Sequence, residues 1–190
     1  SAGTYERSDV LQAQTPPQVL FVERCLSLLK PGGRLGIVVP ESLITSASYG
    51  YVVHHLKQNT HLRAVVGMPE SLFKTSGKGG THTKTALLVA EKRGRKPRAS
   101  TFLFLAEAKW CGNDSRGREI EKNDLPDILT AFRAKQFDHS TSHGYWKSLS
   151  GLAGSSLSPR YHDPEADLAL AELHSSHELV TVQELVDQGA

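Results

Sequence analysis

At 190 residues, with 38% apolar residues and a formal charge of +2, the chain has room for one ordinary domain plus an appendage, built around a modest core. The balanced charge neither demands nor excludes nucleic acid, because an anion-binding face can sit on a near-neutral protein. Two distant cysteines, Cys25 and Cys111, argue against a disulfide scaffold, and no apolar run reaches membrane-spanning length, so a soluble cytoplasmic protein is expected.

Residues 1–14 are polar and unpatterned, and are expected to be a frayed or disordered lead-in. Thr15-Pro16-Pro17 opens a helix, with threonine as the cap and proline in the first turn. Val19, Val22, Leu26 and Leu29 follow at helical spacing, and Cys25 falls on an apolar face as a small buried thiol. Gly32-Gly33 stop this helix, because glycine takes the left-handed conformation of a C-terminal cap at little cost. Arg34–Pro40 lack polar alternation and read as a strand covered on both faces.

A second helix is expected over residues 49–58, and Leu62–Met68 read as the next strand, closed by Pro69. The helix-length connection between these strands implies a parallel crossover. A glycine-rich loop, Ser76–Thr81, leads to a strand at Thr85–Glu91, which fits an antiparallel return. The basic run Lys92–Arg98 resembles a nucleic-acid patch but sits at a turn, where charge commonly serves solubility, the reading favoured here, and Ser100–Leu105 read as an edge strand.

The character then changes. Residues 15–105 are expected to be one unit, and 106–138 a helical and loop extension with a short helix at Leu125–Phe132. Residues 139–158, rich in Ser, Gly and His, read as a linker. Residues 159–190 read as the start of a further module, with Leu168, Leu170 and Leu173 at helical spacing and an apolar patch at Leu179–Leu185. The nine histidines are scattered without cysteine or carboxylate clustering, so no metal is expected. No serine sits in a nucleophile-elbow context. Trp110, Tyr145, Trp146 and Tyr161 suit either subunit contacts or local packing.

The order of Leu28-Leu29-Lys30-Pro31-Gly32-Gly33-Arg34-Leu35-Gly36-Ile37-Val38-Val39-Pro40, a helix, Leu62-Arg63-Ala64-Val65-Val66-Gly67-Met68-Pro69, then Leu72-Phe73 and Thr85–Lys92, resembles the C-terminal half of N6-adenine DNA methyltransferases. The likeness is to the modification subunit of type I restriction–modification systems or a related single-chain enzyme. Cys111–Leu129 is similar to a segment that follows the methylase sheet in those proteins, and Leu157–Pro164 is more weakly similar to the entry of a target-recognition region. The resemblance covers roughly residues 16–133 and implies an α/β fold: the C-terminal part of a Rossmann-like S-adenosylmethionine-dependent sheet, with Arg34–Pro40 as its fifth strand.

The family's glycine-rich cofactor loop and its Asn-Pro-Pro-Tyr/Phe tetrapeptide are not in this sequence. Thr15-Pro16-Pro17-Gln18 is a decoy, lacking both the amide and the aromatic. The chain is therefore expected to be a piece of a larger methyltransferase and inactive alone, with no cofactor-binding or catalytic residue of its own. By resemblance, Phe73 packs against a flipped adenine, since a base must leave the duplex to be methylated; the alternative is a core residue anchoring its loop. Lys74, Lys78 and Lys84, among glycines and threonines, are candidates for DNA phosphates, or else a solvated loop tip. Double-stranded DNA and the specificity and restriction subunits are the implied partners. Two other readings stay open: a non-catalytic DNA-binding or assembly module, and a Rossmann-like methyltransferase acting on RNA, protein or a small molecule.

Overall fold

The computed structural model describes residues 6–7, 10–11, 15–70, 72, 83–94, 102–137, 141, 143–152, 156–177, 180 and 182–187. In the expected lead-in, β1 (Glu6–Arg7) and β2 (Val10–Leu11) pair as a short antiparallel hairpin. Helix α1 (Pro17–Leu28) starts at Pro16 with no side-chain cap, so Thr15 does not take the role expected of it. Val19, Val22 and Leu26 are its buried stripe.

The end of α1 differs from the glycine cap expected. Leu29 at the cap is extended, and the Lys92 ammonium donates to the carbonyls of Leu26 and Leu29 at 2.7 and 2.8 Å. A cation there satisfies orphan acceptors and complements the negative end of the helix dipole. Gly32, at φ +80°, serves the turn into β3 (Arg34–Pro40) instead. Arg93 acts similarly, donating to the Lys57 carbonyl at 2.9 Å. The first two residues of the basic run thus close helix ends rather than serve solubility; 95–98 lie outside the described residues.

Helices α2 (Ser42–Thr45) and α3 (Gly50–Asn59) lead into β4 (Thr60–Gly67), followed by β5 (Thr85–Lys92) and β6 (Phe102–Glu107). Next come a hairpin, β7 (Cys111–Asn113) with β8 (Glu119–Asn123), helix α4 (Leu125–Ala134) and β9 (Tyr145–Ser148). Two further helices, α5 (Pro164–Ser176) and α6 (Val182–Asp187), end the described chain.

The main sheet runs β3-β5-β4-β6-β9. Strand β5 is antiparallel to both β3 and β4, which are therefore parallel to each other; β4 is parallel to β6, and β9 is antiparallel to β6. The parallel crossover through α3 and the antiparallel return are both present. Strand β3 lies at the sheet edge and alternates: Leu35, Ile37 and Val39 face the core, while Val38 is 46% exposed. The double coverage expected for it belongs to β4, which is buried at all but one position. Strand β6, expected at an edge, is interior, because β9 pairs along its far side.

One face of the sheet packs on α1, α2 and α3 through Val22, Ile44, Val53, Leu56, Leu88 and Leu103. The other packs on α4 through Val66, Phe104, Ala106 and Ile128, with Phe132 and Trp146 stacked at 5.5 Å. The core therefore crosses the boundaries drawn at 105 and 138. Within 139–158, expected as a linker, the described residues contribute β9 and the buried Leu152 and Leu157. The body continues to His162, also buried, whereas α5 buries no residue. Among the described residues no helix is long and apolar enough to cross a membrane.

Candidate functional site at the carboxyl edge of the sheet

Because β3, β4 and β6 are parallel, their carboxyl ends at Pro40, Gly67 and Glu107 share one edge, where open α/β sheets place their ligands. Strand β5 begins at the same edge, with Thr85 opposite Pro40, and so does β9, with Tyr145 opposite Leu105. The chain leaves the sheet there at Met68, whose amide donates to the Thr85 carbonyl at 2.9 Å, and returns through Lys84.

Lys84 is the centre of a charged cluster. Its ammonium donates to Glu41 Oε1 at 3.1 Å and Glu107 Oε1 at 3.2 Å, and its side chain is only 16% exposed. Arg160 Nε lies 3.4 Å from the same Glu107 oxygen. Two cations thus balance two carboxylates. Glu107 folds over the end of β4 at Gly67, where an added Cβ would stand 2.5 Å from its Oε1.

A strap from Ser156 to His162 crosses this edge. The Leu157 amide donates to the Ile44 carbonyl at 2.8 Å, and the Tyr145 hydroxyl donates to the Pro159 carbonyl. His162 Nε2 lies 2.9 Å from the Ser156 carbonyl oxygen, closing the strap on itself. Burial, and then the carboxylates of Asp163, Asp167 and Glu107, push the Tyr145 hydroxyl well above its ordinary value. It is a structural donor, not an acid or base near neutrality.

Two clefts open beside the strap. One, of about 270 Å³, is lined by Glu107, Thr141, Gly144, Tyr145 and Arg160. The other, of about 640 Å³, is lined by Met68, Pro69, Glu70 and Trp110, and shares Glu107, Lys109, Arg160 and Asp163 with the first. Their lining mixes both signs of charge, so neither presents the cationic wall that phosphate needs. The Trp110 ring is partly exposed and carries the Lys122 ammonium 4.7 Å from its centroid. Tyr145 and Trp146 prove to be packing residues, while Tyr161 is exposed, edge-on to His162. No group of His, Cys, Asp and Glu among the described residues could hold a metal ion.

Of the residues singled out from sequence, Phe73, Lys74 and Lys78 lie outside the described residues. Lys84 is placed, but in an ion-pair cluster rather than on an open cationic loop; a phosphate would have to displace a carboxylate to reach it. Sequence reasoning missed Glu41, Glu107 and Arg160. A signal existed for the first two, since each is a carboxylate at the end of an apolar strand.

The family model for N-6 DNA methylase matches residues 3–150. No curated protein matches the chain. A chain from a structure of a type I restriction–modification system is 18% identical, with a TM-score of 0.53, covering 98% of this chain and 42% of that one. A protein from Vibrio vulnificus YJ016, described as a modification subunit of a type I restriction enzyme, is 20% identical with a TM-score of 0.54, covering 78% of this chain and 32% of that one. The likeness is one of fold, that of a Rossmann-like methyltransferase sheet, and the chain spans less than half the length of either protein. With more than two thirds of its length matched, this chain belongs to the N-6 DNA methylase family.

Proposed function

We propose that the chain is the later part of a DNA adenine-N6 methyltransferase of a restriction–modification system. The intact enzyme would transfer a methyl group from S-adenosylmethionine to the exocyclic amine of an adenine flipped out of duplex DNA. The family match over residues 3–150 carries this reading. The fold shared with two proteins whose names concern type I systems supports it, as does the fraction of their length that the chain spans. Double-stranded DNA is then the substrate, specificity and restriction subunits are the partners, and the cytoplasm is the compartment.

In this reading Phe73 stacks on the flipped base, a contact worth ~1–3 kcal/mol. Lys74 and Lys78 meet DNA phosphates, positioning the duplex without reading its sequence. Among the described residues, the charged cluster at the sheet edge does not fit the cofactor. The polar groups of the Glu41, Lys84, Glu107 and Arg160 cluster engage one another, and the glycine-rich loop tied to S-adenosylmethionine by resemblance is not in the sequence. The 190-residue chain by itself is expected not to methylate DNA.

The test is to incubate the intact enzyme with duplex DNA and methyl-labelled S-adenosylmethionine, then digest the DNA to nucleosides. Label should appear in N6-methyldeoxyadenosine. Label in cytosine, or in RNA or protein with none in DNA, would overturn the reading.

A further inference from the structure

We infer that Trp110, with Lys122 beside it, is a stacking platform for an unpaired base of the bound DNA other than the target adenine, an inference that rests on the function proposed above. The backbone at Trp110 is clamped by one residue. Asp124 Oδ2 accepts from the amides of Lys109 at 2.7 Å and Trp110 at 3.0 Å, and the Asp124 amide donates to the Trp110 carbonyl at 3.0 Å. A tryptophan anchored this firmly is usually spent on packing, as Trp146 is against Phe104 and Phe132. The Trp110 ring is instead 42% exposed and lines the larger cleft at the carboxyl edge of the sheet. The Lys122 ammonium takes one face of the ring, and among the described residues no aromatic side chain stacks on the other.

Charge sorts what fits inside this cleft from what fits outside it. Met68, Pro69 and Ala108 give it an apolar wall, and its volume of about 640 Å³ lies within the range of roughly 300–1,000 Å³ common for small-molecule sites. Glu107 is engaged by Lys84 and Arg160, and Asp163 accepts from the Glu165 amide at 3.0 Å, which leaves Glu70 to balance Lys109. A neutral planar base suits that space, and a phosphate does not. The cations for phosphates lie outside, on the β7–β8 hairpin. Lys122, and Arg116 and Arg118 near the tip, are exposed and in no ion pair among the described residues. Asp114 holds the tip through the amides of Arg116 and Arg118, at 2.8 and 2.9 Å. Glu119 and Glu121 alternate with Lys122 along β8 and so project from its other face. An exposed ring beside cations that track a backbone is how proteins hold unpaired nucleic acid. Flipping an adenine supplies such a base, because it leaves a partner without its pair.

The experiment uses the intact enzyme as wild type, Trp110→Ala, Trp110→Phe and Lys122→Met, with oligothymidine as the probe, titrated across a salt series. Trp110→Ala should bind the probe roughly 5- to 150-fold more weakly, the range for lost stacking on one base, with the wild-type slope of log affinity against log salt. Lys122→Met should give a slope shallower by about 0.7, as for one phosphate contact to a single strand. Trp110→Phe should keep most of the affinity but lose part of the quench of tryptophan emission that wild type shows on binding. A Trp110→Ala enzyme that binds like wild type overturns the inference, as does a quench undiminished in Trp110→Phe or a wild type that does not bind oligothymidine. Oligouridine held more tightly than oligothymidine assigns the platform to RNA and overturns it too. Should Trp110→Ala not fold, Trp110→Leu, which keeps apolar bulk without a π face, is measured in the same way; weaker binding supports the inference, and unchanged binding overturns it. A wild type that methylates no adenine defeats the proposed function, whereas an active wild type whose Trp110→Ala variant binds oligothymidine normally defeats this inference alone.

Discussion

Glu41 and Lys84, 43 positions apart, are joined twice: the Glu41 amide donates to the Lys84 carbonyl at 2.9 Å, and the Lys84 ammonium donates to the Glu41 carboxylate at 3.1 Å. Backbone pairing sets the distance that the side chains then exploit. The pair extends the β3–β5 ladder one step beyond its last register pair, Pro40 with Thr85.

The partner carboxylate of Glu107 depends on Gly67. Alanine at 67 would place a methyl group 2.5 Å from Glu107 Oε1, and the flexible glutamate would swing away, releasing Lys84 and Arg160. The loss should be about 1 kcal/mol, because the groups can still reach solvent. The effects of Gly67→Ala and Glu107→Gln should not add, since both remove the same contact. Urea unfolding of the two single variants and the double variant reads this directly, and additive losses would show that Gly67 has another role.

Gly144 is under a harder constraint. Its φ of +134° disfavours any side chain, and an added Cβ would overlap the buried Phe104 ring while standing 2.9 Å from the Leu105 carbonyl oxygen. Gly144→Ala should therefore cost roughly 2–4 kcal/mol, as strain and overpacking combine at the start of β9. A shift in the denaturant midpoint corresponding to less than 0.5 kcal/mol, as an order-of-magnitude threshold, would contradict the packing described.

Two leucines on either side of His162 should behave oppositely. Leu157 is fully buried in the strap, so Leu157→Ala should destabilise by roughly 2–5 kcal/mol. Leu168, on α5, is 69% exposed, and Leu168→Ala should stay within about 0.5 kcal/mol of wild type. Thermal melts of both variants check whether the body ends where the burial says it does.

Tyr145 provides a pH dependence. Its hydroxyl is neutral and donating in the fold, and burial raises its pKa above the ordinary value of 10.0. A raised pKa means that its stabilisation is complete below about pH 10, where the unfolded tyrosine begins to ionise, and is lost as pH rises towards the folded value. Tyr145→Phe should be less stable than wild type by ~1–3 kcal/mol at pH 8, because the buried Pro159 carbonyl loses its donor. That gap should narrow above about pH 10, where only wild type gives up the contribution of this group. Parallel urea titrations at the two pH values measure it; a gap that widens would reverse the sign argued here.

Much of the sheet was legible because its signals are local. The apolar runs at β3, β4 and β5 mark strands wherever they sit, and the length of the α3 connection separates a parallel crossover from the shorter antiparallel return. What sequence could not carry was lateral neighbourhood. Residues Tyr145–Ser148 hold too few apolar side chains to announce a strand, and they become β9 only because β6 offers a hydrogen-bonding edge. For the same reason the apolar run at β3 suggested two covered faces, although its edge position leaves Val38 open. The site divides similarly. Lys84 was legible as a cation near the edge, but its meaning lies in Glu41 and Glu107, which the fold delivers from the ends of two other strands.

The strap also sets an order of events as the chain is made. A polypeptide emerges from its N-terminus, so β3 to β9 can form while the Ile44 carbonyl, the Tyr145 hydroxyl and the Glu107 carboxylate still wait for Leu157, Pro159 and Arg160. A chain cut at residue 150, where the family match stops, would retain every strand of the sheet yet leave those three groups facing water. This edge of the sheet is finished from behind, by residues that the family match does not include.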